Sequence, residues 1–221
     1  MSIIKCRVIA EDIRFETLEE LYNYEHYADI YELTMIWCEL PDLSKLPPYI
    51  RKLDCGRNKL IEIDFDKLPK TLEVLECYDN RIIELKNLDR SNLRVLNCNS
   101  NKIKEINLLP ESLLELNCSY NEIEKLNVPD SNLMVLDCRQ NNMRNLILPC
   151  SLRELYCSGN KLYEFKVPSN LMRVDCDNID NFVVPKCLTI LNGKRIAPYR
   201  YEDGTSITYT DTRPPKKYLE I

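Results

Sequence analysis

Eleven cysteines are the residues of this chain with the most chemistry in reach, because a thiolate can ligate a metal, exchange a disulfide or attack an electrophile. Zinc needs about four ligands converging at about 2.3 Å, usually supplied by close Cys-x-x-Cys pairs. No such pair occurs. Instead Cys55, Cys77, Cys98, Cys118, Cys138, Cys157 and Cys176 recur at separations of 22, 21, 20, 20, 19 and 19 residues. Such regular spacing predicts a structural column of small hydrophobes. Cys6, Cys150 and Cys187 fall outside it and are expected to be more accessible. His26 is the only histidine, and glycine stands only at 56, 159, 193 and 204, so no phosphate-cradling loop is visible. No catalytic residue, cofactor or metal site is expected.

The elements that carry these cysteines are legible from what surrounds them. Leu72-Glu73-Val74-Leu75-Glu76-Cys77-Tyr78-Asp79-Asn80 matches Leu113-Leu114-Glu115-Leu116-Asn117-Cys118-Ser119-Tyr120-Asn121. The frame is Leu-x-x-Leu-x-Cys-x-x-Asn-x-Ile/Leu, usually preceded by Leu-Pro or Val-Pro. Weaker units stand at Leu33-x-x-Ile36-x-Cys38 and Leu188-x-x-Leu191-x-Gly193. Within Leu-x-Cys the period is two, so both side chains share one face of a short strand. Such a strand cannot bury that face alone; stacked about 4.8 Å apart, identical strands form a parallel sheet with a continuous core. Asn58, Asn80, Asn101, Asn121, Asn141 and Asn160 carry donors and an acceptor suited to turn backbone. Parallel Cβ vectors hold neighbouring Cβ atoms near the strand spacing, wider than the usual disulfide value of about 3.8 Å, so reduced thiols are expected.

The repeated frame resembles the leucine-rich-repeat family, with cysteine in place of the third strand leucine, over residues 33–193 in about nine copies. The short unit with Leu-Pro before the strand is similar to arrays in secreted bacterial effectors and in large DNA viruses of amoebae. The resemblance implies an α/β solenoid: a right-handed superhelix with a parallel concave β-sheet and an extended convex side. Pro47, Pro69, Pro110, Pro129, Pro149, Pro168 and Pro185 recur before strands and agree with an extended approach. Residues 1–32 read as an N-terminal cap: a strand from Ile3 to Ala10, then a capping box at Thr17-Leu18-Glu19-Glu20 and helix to about Tyr31. Residues 194–221 read as a C-terminal cap. There Asp203-Gly204, between Tyr199–Glu202 and Thr205–Thr210, signals a β-hairpin.

Composition narrows the partners. A net charge of −5, with Lys and Arg scattered among Asp and Glu, disfavours nucleic acid and favours a protein partner with a basic segment. No apolar run approaches the roughly 20 residues of a membrane span. No secretory leader is visible, and a cytoplasmic scaffold is the expectation. Similar effectors carry a separate ligase domain; about 28 residues after the last repeat are too few for one, so no enzyme is expected. An adaptor of a ubiquitin-type enzyme, docking through the caps, is the alternative.

In the family, partners seat on the concave sheet, through side chains pointing away from the core. The frame places Trp37, Asp54, Glu76, Asn97, Asn117, Asp137, Tyr156, Asp175 and Asn192 in one outward column. Tyr78 and Arg139 stand in the next, and Arg57, Asp79 and Tyr120 in the third. The acidic first column reads either as a receptor for a basic segment or as a solvated face that prevents aggregation. Aromatic and arginine side chains are enriched at binding hot spots. The candidate contact set is therefore Trp37, Arg57, Tyr78, Asp79, Tyr120, Asp137, Arg139 and Tyr156.

Overall fold

Short β-branched and leucine-rich runs separated by turn residues form short strands throughout. The structure is a computed structural model that describes residues 7–10, 12–126, 128–162 and 168–176, with the backbone of strands at 182–184, 190–191, 194–195 and 207–209. The fold is a solenoid built on parallel strands. It divides into two compact units, Met1–Ile103 with Leu109–Leu113 and Lys104–Leu108 with Leu114–Ile221.

The first unit opens with β1 (Arg7–Ala10), β2 (Ile13–Phe15), the helix α1 (Leu18–Tyr22) and β3 (Glu32–Ile36). Strand β1 pairs antiparallel with both β2 and β3, covering the free edge of β3. The Thr17 hydroxyl caps α1, accepting from Glu20 N at 3.1 Å, while Glu16 N donates to the Glu20 carboxylate at 2.8 Å. The helix is shorter than its expected extent. Asn23 closes it at Tyr22, and the run Tyr24-Glu25-His26 turns instead into a 3-10 segment at Tyr27–Asp29. Asparagine competes for backbone bonds, and this stretch offers no apolar stripe to hold a longer helix against the core.

The stack continues with β4 (Lys52–Asp54), β5 (Glu62–Asp64), β6 (Val74–Glu76), β7 (Glu84–Lys86) and β8 (Val95–Asn97). In this unit the main sheet runs β2-β1-β3-β4-β6-β8. Leu53, Leu75 and Leu96 align in register and are fully buried, followed by Cys55, Cys77 and Cys98. Each fully buried leucine contributes about 1.5–3 kcal/mol. The return path is extended: β5 pairs with β7, and 3-10 turns at Phe65–Lys67 and Leu88–Arg90 bury Phe65 and Leu88.

The register corrects the first repeat. Leu33 pairs with Leu53 and Thr34 with Asp54, so Met35 stands where later repeats have cysteine. The unit is Ile30-x-x-Leu33-x-Met35, three residues earlier than expected, and all three of these side chains are buried. Thr34 therefore holds the first outward column there, and Trp37 moves to the column of Arg57.

The second unit contains β9 (Glu105–Ile106), β10 (Glu115–Asn117), β11 (Lys125–Leu126), β12 (Val135–Asp137), β13 (Glu154–Tyr156), β14 (Arg173–Asp175), β15 (Phe182–Val184), β16 (Ile190–Leu191), β17 (Lys194–Arg195) and β18 (Ile207–Tyr209). Its main sheet runs β10-β12-β13-β14-β16-β17, with Leu116, Leu136, Leu155 and Val174 buried in register. Val174 pairs with Leu191, which puts the degenerate last repeat in the same ladder. Beyond it, β16 and β17 pair antiparallel, as do β15 and β18. The expected hairpin about Asp203-Gly204 lies outside the described residues except for β18.

Two devices recur in both units. The carbonyls of Pro47, Pro69, Pro110, Pro149 and Pro168 each accept from the amide three residues on, at Ile50, Leu72, Leu113, Leu152 and Leu171. The chain thus enters each of these strands through a tight turn rather than an extended approach. The asparagines tie neighbouring turns together. Asn80 Nδ2 donates to the carbonyls of Cys55, Cys77 and Tyr78 at 3.1–3.2 Å, and its Oδ1 accepts from Leu60 N at 3.0 Å. Asn58, Asn101, Asn141 and Asn160 repeat the pattern.

The thiol column departs from expectation at one rung. Cys55, Cys77, Cys98, Cys118 and Cys138 are buried thiols, but Cys157 and Cys176 are joined as a disulfide with Cα atoms 4.8 Å apart. Neighbouring parallel strands already bring the backbones within the range a disulfide spans. Outside the column, Cys150 is exposed and free, whereas Cys6 and Cys187 lie outside the described residues.

Candidate functional site

Alternation along each three-residue strand buries its middle side chain and turns the two on either side outward, the second of them forming a column just before the next buried position. In the first unit that column is Thr34, Asp54, Glu76 and Asn97, all half-buried. Asp54 and Glu76 are register partners, and burial raises the pKa of each above its ordinary value. The charge of Asp54 adds to the effect on Glu76, while Asn97 Nδ2 opposes it by donating to the Glu76 carboxylate at 2.6 Å. Asp54 accepts from Gly56 N at 3.0 Å.

Tyr78 lies over Gly56, where a Cβ would run into its ring. That glycine is the signal the outward columns held and their reading missed, since its missing side chain seats the tyrosine beside Asp54. Burial first, then the Asp54 charge, pushes the Tyr78 phenol up. Arg57 has its guanidinium 5.3 Å from the Trp37 ring centre and 3.6 Å from the Asp79 carboxylate. Trp37, Arg57 and Asp79 are therefore brought together, with Tyr78 beside Asp54 and Glu76.

In the second unit, Asp137 and Arg139 form a two-point pair, Nε to Oδ1 at 3.0 Å and Nη2 to Oδ2 at 2.6 Å. The bond to Asp137 raises the arginine pKa further. Arg139 and Arg173 each hold a guanidinium about 5.5 Å from the Tyr156 ring centre, at 5.4 and 5.5 Å. The Tyr156 hydroxyl donates to Glu154 at 2.8 Å; burial and this bond raise its pKa. Arg173 and Glu154 are register partners at the first, outward-facing position of their strands, a column that the sequence frame did not single out. Tyr120 is attached through its amide to the Arg139 carbonyl at 2.8 Å and is 59% exposed.

The third column has a further property. Trp37, Arg57, Asp79, Ser100, Tyr120 and Gln140 all have φ between 52° and 62°, and the equivalent Gly159 has φ 72°. This left-handed turn costs non-glycine residues about 1–2 kcal/mol each, and from Arg57 onward the asparagine that follows holds it closed. Its effect is to fix the direction in which Arg57, Asp79 and Tyr120 leave the backbone. Elsewhere His26 is a surface residue, 61% exposed and within 3.6 Å of Glu25 and 3.4 Å of Asp29. Among the described residues, no helix is long and apolar enough to cross a membrane.

No protein-family model matches the sequence, and no curated protein sequence matches it. Solved structures do. The leucine-rich effector YopM from Yersinia pestis superposes with a TM-score of 0.60 at 21% identity, over 75% of this chain and 57% of that one. A Shigella effector leucine-rich-repeat domain gives 0.50 at 25% identity, over 66% and 74%. The functional domain of InlJ from Listeria monocytogenes, described as including a cysteine ladder, gives 0.55 at 23%, over 82% and 48%. This chain thus spans little more than half of the Yersinia structure and about half of the Listeria one. Tandem Leu-x-x-Leu-x-Cys-x-x-Asn units, an inward leucine and cysteine ladder and these likenesses together make the chain a leucine-rich-repeat solenoid, with the fold of those bacterial proteins.

Proposed function

We propose that the chain is a non-catalytic protein-interaction module whose partner seats on the outward face of the main sheets. The observation that carries this reading is the state of the outward side chains before any partner arrives. Arg139 is held by Asp137 and Tyr156, and Arg57, on left-handed backbone, by Asp79 and Trp37. Side chains ordered in advance spare a complex about 0.5–1.5 kcal/mol of ordering cost apiece.

The partner presents a basic segment. Asp137 and Asp79 already have arginine partners, whereas Asp54 and Glu76 stand side by side with raised pKa values. A lysine or arginine between them would relieve the repulsion that the fold alone leaves in place. Tyr78, flat over Gly56 beside this pair, offers a ring face to the same cation.

The test is capture from cell lysate on the immobilised full chain, compared with the variant carrying Tyr78→Ala, Tyr120→Ala and Arg139→Ala. A specifically retained protein is expected to bind the variant about 30-fold or more weakly, the loss that follows from removing a hot-spot side chain. Equal retention by both, with the variant folded by circular dichroism, overturns the reading.

A further inference from the structure

The second unit carries a surface of opposite character away from its main sheet. Beside the two-stranded β9–β11 pair lies an open groove of about 650 Å³ lined by Glu124, Lys125, Asn142, Arg144, Asn145 and Lys161. Three cations face one carboxylate there, in a chain whose net charge is −5. In the first unit several cations are paired: Lys52 with Glu32, Lys59 with Glu39, Lys86 with Glu62 and Arg90 with Asp66. Lys125 and Arg144 have no ion-pair partner among the described residues, and Lys161 Nζ donates to the Asn142 side chain at 3.0 Å. Backbone bonds stack the three turns: Asn142 N to the Ile123 carbonyl at 2.8 Å and Lys161 N to the Met143 carbonyl at 2.9 Å.

We propose that this groove is a docking site for an acidic peptide segment, independent of the face argued above. Lys125, Arg144 and Lys161 come from three successive turns, each rising about 4.8 Å, so their charge spreads over about 10 Å. A single small anion meets only part of that span. An extended peptide places alternate side chains about 7 Å apart and reaches along it. The Arg144 fork accepts a carboxylate at two points. The Asn142 and Asn145 amides, able both to donate and to accept, suit a peptide main chain. A polynucleotide is disfavoured, because Glu124 lines the groove and Glu105, the register partner of Lys125, adds a second carboxylate beside it.

The experiment is fluorescence anisotropy on the full chain with a labelled hexapeptide of alternating Glu and Asp. A hexalysine peptide and a ten-nucleotide single strand serve as comparisons. The acidic peptide is expected to bind most tightly, more weakly as salt rises, and about tenfold or more weakly to the Arg144→Glu, Lys161→Glu variant. The Tyr78→Ala, Arg139→Ala variant is expected to bind it unchanged, which separates this groove from the sheet face. Both exchanges are at solvent-facing positions, and a thermal melt confirms that each variant is folded. No preference for the acidic peptide, tighter binding of the oligonucleotide, or equal binding by the charge-reversed variant overturns the proposal.

Discussion

Glu76 shows how one side chain records the competing demands of fold and surface. Its place between Leu75 and Cys77 half-buries the carboxylate, and its register partner Asp54 brings a second charge alongside. Folding therefore favours the protonated form. Because the folded pKa lies above the ordinary value of 4.5, the contribution to stability is complete below that value and is lost as pH rises through the folded one. Glu76→Gln, which can still accept from Asn97, is accordingly expected to stabilise the protein at neutral pH by up to about 1 kcal/mol. The gain is expected to fade towards about pH 4. Urea denaturation of both proteins at the two pH values measures it; a gain that does not change with pH, or a loss at neutral pH, contradicts this assignment. The thiols answer to the same physics. Burial pushes Cys98 up to about 12 and raises Cys55, Cys77 and Cys138 as well, so none is a nucleophile at neutral pH.

At the scale of the element, the repeat is a three-residue strand, a left-handed turn, an asparagine and a return path, and the asparagine joins one repeat to the next. Asn80→Asp keeps the size and the acceptor but removes both donors, placing a carboxylate against the carbonyls of Cys55 and Cys77. Orphaning buried groups of this kind costs about 1–3 kcal/mol each. The variant is therefore expected to lose at least about 3 kcal/mol, read from the urea midpoint, and a near-neutral result would mean that the amide is not the tie described here. This part of the element was legible in the sequence because asparagine recurs at a fixed offset from cysteine. The first repeat was not, since Met35 replaces cysteine there and Cys38 supplied a false match three residues on. Local pattern alone could not choose between the two frames; pairing of Leu33 with Leu53 does. The left-handed turn was hidden for a related reason, with glycine at only one of its positions, Gly159, and Arg, Asp, Ser, Tyr and Gln at others. Those residues tolerate the strain because the following asparagine satisfies the turn backbone. Likewise Asp137 read as free acidity, and its two-point bond to Arg139 depends on side-chain geometry that spacing does not encode.

At the scale of the whole molecule, each unit holds one ladder of inward leucine, cysteine and asparagine, and the strand side chains on either side of each leucine face outward. That division gives meaning to the sheet face and to the groove of the second unit alike, because a side chain assigned to the wrong side would belong to neither. Native-state alkylation with iodoacetamide at neutral pH, mapped by peptide mass spectrometry, tests it most directly. Labelling is expected at Cys150 while Cys55, Cys77, Cys98, Cys118 and Cys138 stay unmodified until denaturant is added. Rapid modification of any of those five thiols in the folded protein would contradict the inward ladder and the assignment of binding surfaces built on it.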